Sequence, residues 1–192
     1  MIILYTPFFN HKDPYRMNDF YNCLIKNIEN NLIGKIVLLV DDNTLIKHPK
    51  ITIAYIKYRP TYKLAFSMFN NYYINILANT DIYFDDSLKF CEDMSSDKCY
   101  ALSRYENGEL FNRPDSQDVW IFNGKPSDIN CEFLIGVPGC DNRIAYEINK
   151  ANYKITNPSK LIKTHHLHTG SRNYNGLRVD EPYLHIAPSD EL

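Results

Sequence analysis

The 192-residue sequence lacks an excess of charge of either sign: 21 Lys and Arg meet 23 Asp and Glu, a formal net charge of −2. A surface that holds nucleic acid or another polyanion needs surplus positive charge, so there is no electrostatic case for such a partner. Long apolar runs are missing too, and none approaches the ~20 residues of a transmembrane helix. The opening stretch MIILYTPFF has neither the basic flank nor the small-residue cleavage site of a signal peptide, and it reads as a first strand. The last residues, SDEL, resemble an endoplasmic-reticulum retention signal, but with no entry signal the match reads as chance. The expected location is cytoplasmic, in the host cytoplasm if the chain is viral. The five cysteines, Cys23, Cys91, Cys99, Cys131 and Cys140, include no C-x-x-C pair. That argues against a disulfide framework or zinc knot and fits reduced thiols.

What is present is the composition of an ordinary globular chain, 44% hydrophobic and 23% charged. Its length suits one domain with a substantial core. The plentiful Asn, Ile, Lys and Tyr read as the mark of an AT-rich genome, bacterial or viral. IILYT (Ile2 to Thr6) predicts a buried strand. Asp13 and Pro14 predict a helix start, Met17, Phe20, Leu24, Ile28 and Leu32 recur at helical spacing, and Gly34 stands where a C-terminal cap belongs. KIVLLVDD and ITIAYIKY predict strands two and three, Thr61 to Tyr73 a second helix, and INILAN a fourth strand. Continuous apolar strands alternating with helices predict a mainly parallel α/β sheet covered on both faces. Thr6, Asp41, Asp42, Arg59, Asn79 and Asp81 all fall at or just past the carboxyl ends of these strands, the edge where open α/β sheets bind ligands.

The second half predicts strands in KCYALSRYE and SQDVWIFNG, a glycine-bearing turn in FLIGVPGC, a helix opened by Asp141 in DNRIAYEINKAN, and a late segment THHLH with three histidines. The stretch LANTDIYFDDSL is the least ordinary, because it sets Asp81, Asp85 and Asp86 in an apolar, strand-like run where buried charge is costly. Asp85 and Asp86 read most simply as the start of a helix. Asp81 stands where a strand ends and is free to hold a cation. His166 and His168 share one face of a strand, with His165 on the other.

The fourth strand ending in ANTDIYF, followed by SQDVWIF, GVPGCDNRIAYEI and NPSKLIKTHHLHTGSRNY, resembles the GT-A nucleotide-sugar glycosyltransferases over Ile2 to about Tyr174. The resemblance implies a GT-A domain over residues 1–174 with a tail or linker at 175–192, and further domains if the chain is part of a larger protein. It implies a sugar moved from a nucleoside-diphosphate donor, UDP-linked, to a hydroxyl of a glycan or glycoprotein. It also implies a Mn²⁺ or Mg²⁺ ion on the diphosphate. Carried onto this sequence, Thr6, Asp41, Arg59, Lys63 and Asn79 would bind the donor, and Asp81 with His168 or His166 would bind the metal. Asp141 or Asp118 would serve the acceptor, and Arg172 and Tyr174 would either close over the diphosphate or pack the chain end.

One departure stands out: the family's DxD reads Asn79-Thr80-Asp81 here, with an amide in place of the first carboxylate. It keeps open an alternative, a catalytically silent nucleotide-sugar or carbohydrate-binding module. A sugar-phosphate nucleotidyltransferase is disfavoured because TPFFNHKDPYR has no glycine to cradle a triphosphate, and a metallohydrolase because no H-E-x-x-H accompanies the histidines. Asp41 and Asp42 read equally as a polar turn, Arg59 and Lys63 as surface charges, Asp141 as a helix cap and Trp120 as core.

Overall fold

The computed structural model describes residues 1–169 and 177–192. Along the chain run β1 (Ile2–Pro7), α1 (Pro14–Glu29), β2 (Ile33–Val40), β3 (Ile51–Tyr55), α2 (Tyr62–Ser67), β4 (Ile74–Ala78), β5 (Ile82–Phe84) and a 3-10 helix (Asp86–Cys91). They are followed by β6 (Lys98–Leu102), β7 (Tyr105–Glu106), β8 (Glu109–Leu110), β9 (Val119–Asn123), α3 (Cys140–Lys150), β10 (Lys154–Thr156) and β11 (Thr164–His166). Seven strands form one sheet in the order β10-β6-β9-β4-β1-β2-β3. Neighbours from β4 to β3 are parallel, as are β10 and β6, and only β9 runs against its neighbours. This is the mainly parallel single-domain sheet that the apolar runs predict. Ile2 and Leu4 pack with Phe20 and Leu24 of α1 on one face, while Ile3 and Tyr5 pack with Phe66 of α2 and Ile144 and Ile148 of α3 on the other. Because both faces are covered, the strands need apolar side chains in both phases of the pleat.

A smaller sheet, in the order β5-β11-β7-β8, stands beside the first. In it β11 lies antiparallel to β5 and parallel to β7, which sets the histidine segment against the chain that follows β4. Trp120 is 2% exposed, a core residue. Among the described residues no helix is long and apolar enough to cross a membrane.

Three local expectations need correction. Gly34 is not a helix cap but lies inside β2; α1 ends at Glu29, because the Asn30 side chain accepts from Leu32 N and donates to Phe84 O. The second helix begins as expected, with Thr61 accepting from Leu64 N at 3.1 Å, yet it stops at Ser67. The buried Asn75 side chain binds both the N–H and the C=O of Asn70 and also the carbonyls of Tyr73 and Gly124, holding Asn70 to Tyr73 as a turn. KCYALSRYE divides into β6 and β7, because Ser103 N leaves the ladder for Ser159 Oγ at 2.8 Å.

Beyond residue 176 the chain is irregular but tied down. Val179 N donates to Pro138 O, Leu184 N to Asn142 O, Ile186 N to Pro114 O and Ser189 N to Asn157 O, at 2.7–3.0 Å.

Candidate functional site

Because β1 to β4 are parallel, their carboxyl ends share one edge of the sheet. β9 runs the other way, so the residue just before it, Asp118, reaches that same edge, where its carbonyl accepts from Asn79 N at 3.1 Å. A cleft of about 860 Å³ opens there, and Asn79, Asp81, Asp118, Asp141, His166 and His168 are all in its lining.

Asp81 is the last of the three residues between β4 and β5, a turn anchored by Thr80 Oγ1 donating to Pro7 O at 2.7 Å. Leu167 N donates to Asp81 O at 3.0 Å and continues the β5–β11 pairing past its last residue pair. His166 Nε2 thereby lies 3.1 Å from Asp81 Oδ2 and His168 Nδ1 lies 4.0 Å from it. One ligand atom from each of the three residues falls within 4.8 Å of the others. His165 turns the other way, as the strand alternation predicts: it contacts Asp85 at 2.9 Å and stacks on Tyr83. Asp85 also caps the 3-10 helix through Ser87 N, and Asp86 falls in its first turn.

Other charges complete the cluster. Arg16 of α1 places Nη2 2.5 Å from Asp81 Oδ2 and Nη1 3.0 Å from Asp19 Oδ2 and 3.1 Å from Leu167 O. Burial opposes the Asp81 charge, but hydrogen bonds from His166 and His168, the His166 charge and Arg16 outweigh it and hold the carboxyl well below the usual carboxylate range. His166 Nδ1 lies 3.2 Å from Glu106 Oε1. His168 Nε2 is buried with no hydrogen-bond partner among the described residues. One carboxylate and two imidazoles around a common point, one with an orphaned nitrogen, are a donor set that could hold a divalent cation. The Arg16 guanidinium competes for the same carboxylate.

The second group of charges centres on Asp118. Arg104 Nη1 binds its Oδ2 at 2.8 Å and Asn79 Nδ2 its Oδ1 at 2.8 Å, while Arg104 Nε binds Glu106 at 2.6 Å. Asp141 is not the cap of α3. That position belongs to Gly139, in the left-handed region at φ 82°, and Asp141 lies one residue inside the helix. Burial and then the Asp118 charge push the Asp141 carboxyl up to about 6, against hydrogen bonds from backbone N–H groups that include Asn142 and Gln117.

Four expected donor residues are not in the cleft lining. Thr6 is buried with its hydroxyl on Pro7 O at 3.3 Å, and Asp41 is exposed beyond β2. Arg59 donates to Ile135 O and Gly136 O, both at 2.9 Å, so it holds the turn before α3. Lys63 pairs with Glu132 at 2.8 Å on the surface. Arg172 and Tyr174 lie outside the described residues. Sequence reasoning missed Arg16, Arg104 and Glu106. Arg16 was findable, since Arg16, Asp19, Phe20, Cys23 and Asn27 form one helical stripe that mixes charge with apolar residues and is buried.

No family model matches the sequence, and no curated protein gives a significant match. Among solved structures, the chain is similar to S. aureus TarS 1–349 in complex with UDP-GlcNAc, with a TM-score of 0.63 and 11% identity over 93% of this chain and 61% of that one. It is also similar to a Pyrobaculum calidifontis mannosyltransferase in complex with GDP-Man and Mn²⁺, with a TM-score of 0.48 and 14% identity over 82% of this chain and 54% of that one. A Francisella tularensis 2-C-methyl-D-erythritol 4-phosphate cytidylyltransferase gives a TM-score of 0.39 at 14% identity over 65% and 70%. The chain thus spans little more than half the length of the first two. The TarS likeness covers nearly all of this chain and is one of fold: a GT-A-like sheet.

Proposed function

We propose that the chain is a glycosyltransferase, moving a sugar from a nucleoside-diphosphate-sugar donor, UDP-linked, to a hydroxyl of a glycan acceptor. The observation that carries this reading is the pairing of two groups in one cleft: Asp81, His166 and His168 around a common point, and the partly buried Asp141 with its raised pKa. The similar fold of TarS, solved with UDP-GlcNAc, supports the donor class.

Asp81, His166 and His168 would hold a divalent cation, which offsets negative charge developing on the leaving diphosphate without a proton transfer. Arg16, in contact with Asp81 and part of the cleft lining, would turn its free donors to the same phosphates. Asp141, lifted to about 6, is ionised at neutral pH yet basic enough to take the acceptor hydroxyl proton. Asp118 would keep the acceptor side ordered, since Arg104 and Asn79 fix both of its oxygens. Thr6 and Asp41 remain the residues by which the nucleoside would be met at the β1 and β2 ends. Arg59 and Lys63 are committed to other partners.

The test is a thermal-shift screen of nucleotide sugars with and without Mn²⁺, followed by detection of free nucleoside diphosphate. A donor at 100 times its Kd adds about 2.7 kcal/mol of stability. Stabilisation by one UDP-sugar, with diphosphate release that Asp141→Asn abolishes, is the expected result. Binding without release for any acceptor would make the chain a silent module, and no binding would end the reading.

A further inference from the structure

The smaller sheet carries Glu106 to the histidine. Asn107 and Gly108, at φ 51° and 85°, form the two-residue turn that folds β7 onto β8, the backbone hand such hairpins favour. In the β11–β7 pairing His166 lies opposite Glu106. Glu106 Oε1 then sits 3.2 Å from His166 Nδ1, while the other ring nitrogen, Nε2, faces Asp81 at 3.1 Å. Arg104 Nε holds the same Glu106 oxygen at 2.6 Å and is itself fixed by Asp118 and Ser116.

We infer that Glu106 is the positioning residue for His166. By accepting from Nδ1–H it would keep the proton on that nitrogen when Nε2 gives up its own to a cation beside Asp81, and it would fix the plane of the ring. This rests on the reading of Asp81, His166 and His168 as a cation site. A metal-binding imidazole whose far nitrogen donates to a carboxylate is oriented and made more basic, and loss of that partner weakens metal binding by about 10–100-fold. The role also gives the small sheet a purpose, since its β11–β7 pairing places Glu106 beside the histidine segment.

The experiment is titration of the purified, metal-free full chain with Mn²⁺, read by electron paramagnetic resonance of the free ion, with no substrate present. Glu106→Ala should weaken Mn²⁺ binding by about 10–100-fold, with Glu106→Gln falling between it and wild type. If the alanine variant does not fold, the glutamine variant carries the test against wild type. The double variant Glu106→Ala/His166→Ala should bind no more weakly than His166→Ala alone, because Glu106 acts through that ring. Unchanged affinity on loss of Glu106 would overturn the inference. A double variant weaker than His166→Ala would also overturn it, making Glu106 a ligand in its own right. If the wild type itself binds no Mn²⁺, the cation-site reading fails first, and the wild-type titration alone reveals it.

Discussion

Replacing Asn79 by aspartate would complete a DxD pair, and a reading from the motif alone expects tighter metal binding. The structure argues for the opposite. Asn79 Nδ2 donates to Asp118 Oδ1 at 2.8 Å, so a carboxylate at position 79 would set two acidic oxygens in contact. At an effective dielectric of ~20, two unit charges at that spacing repel by about 6 kcal/mol. Arg104, 2.8 Å from the other Asp118 oxygen, offsets part of this. A floor is the lost hydrogen bond to a charged acceptor, about 1.5–3 kcal/mol. For a chain of this length that lowers the melting temperature by roughly 3–12 °C. The pair would share a proton as pH falls, so its pKa is raised and the destabilisation is full at neutral pH and shrinks in acid. Urea unfolding of Asn79→Asp and wild type at pH 7.5 and pH 5 measures both effects, and Mn²⁺ titration measures the third. A variant as stable as wild type at pH 7.5, with tighter Mn²⁺ binding, would refute the reasoning.

Asp81→Asn removes the charge that faces Arg16 in a buried pair. Arg16 keeps Asp19, so the cost should sit near the low end for breaking such pairs, about 3 kcal/mol, and the metal-free protein should melt roughly 6–12 °C lower. Calorimetry checks it, and an unchanged melting temperature would mean that the pair adds nothing to stability. Asp141, raised to about 6, should act as base only when ionised, so kcat/KM should rise with pH through about 6. Asp118→Asn should move that limb to lower pH by removing the second cause of the shift. The same shift has the folded state favouring the proton, so Asp141→Asn should gain stability over wild type near pH 8, of order 1–3 kcal/mol, and lose the advantage below about pH 4. Gly139→Ala should destabilise by at least ~1 kcal/mol, since φ is 82° and a Cβ there would meet Tyr183 Oη at 2.7 Å and Val179 O at 2.8 Å. Denaturant unfolding measures the loss, and a neutral result would show that the C-terminal segment yields freely.

Where the sequence was legible, a local pattern stated the physics. Continuous apolar runs marked β1, β2 and β4 because both faces of that sheet are covered. Asp13 before Pro14 marked the start of α1, where the Asp13 side chain accepts from Tyr15 N. Asp81 stood out as a charge after an apolar strand, and the two-residue period put His166 and His168 on one side. Illegible features depended on distant partners. Arg59 closes the third apolar run in the sequence, as a ligand residue would, but β3 stops at Tyr55 and the acceptors of Arg59, Ile135 O and Gly136 O, arrive from more than seventy positions away. Helix ends were hidden because Asn30 and Asn75 each bind backbone from several elements, which no local propensity reports.

Several of the charged groups in and beside the cleft form one connected chain, and that connection says why they are tolerated in a half-buried place. From Asp19 it passes to Arg16, Asp81, His166, Glu106, Arg104 and Asp118, and every contact along it is 3.2 Å or shorter. No two carboxylates touch along it, because an arginine or an imidazole stands between each pair. Desolvation is therefore opposed at every position, whereas an isolated member would be costly. The same connectivity joins the Asp81 end to the Asp118 end. Asp81 comes from the turn after β4, His166 from β11, Glu106 from β7 and Asp118 from the residue before β9. A substitution at one end should therefore be felt at the other through packed, hydrogen-bonded groups. That is why Asn79, outside this chain of charges but bonded to its last member, need not be a metal ligand to matter to the site.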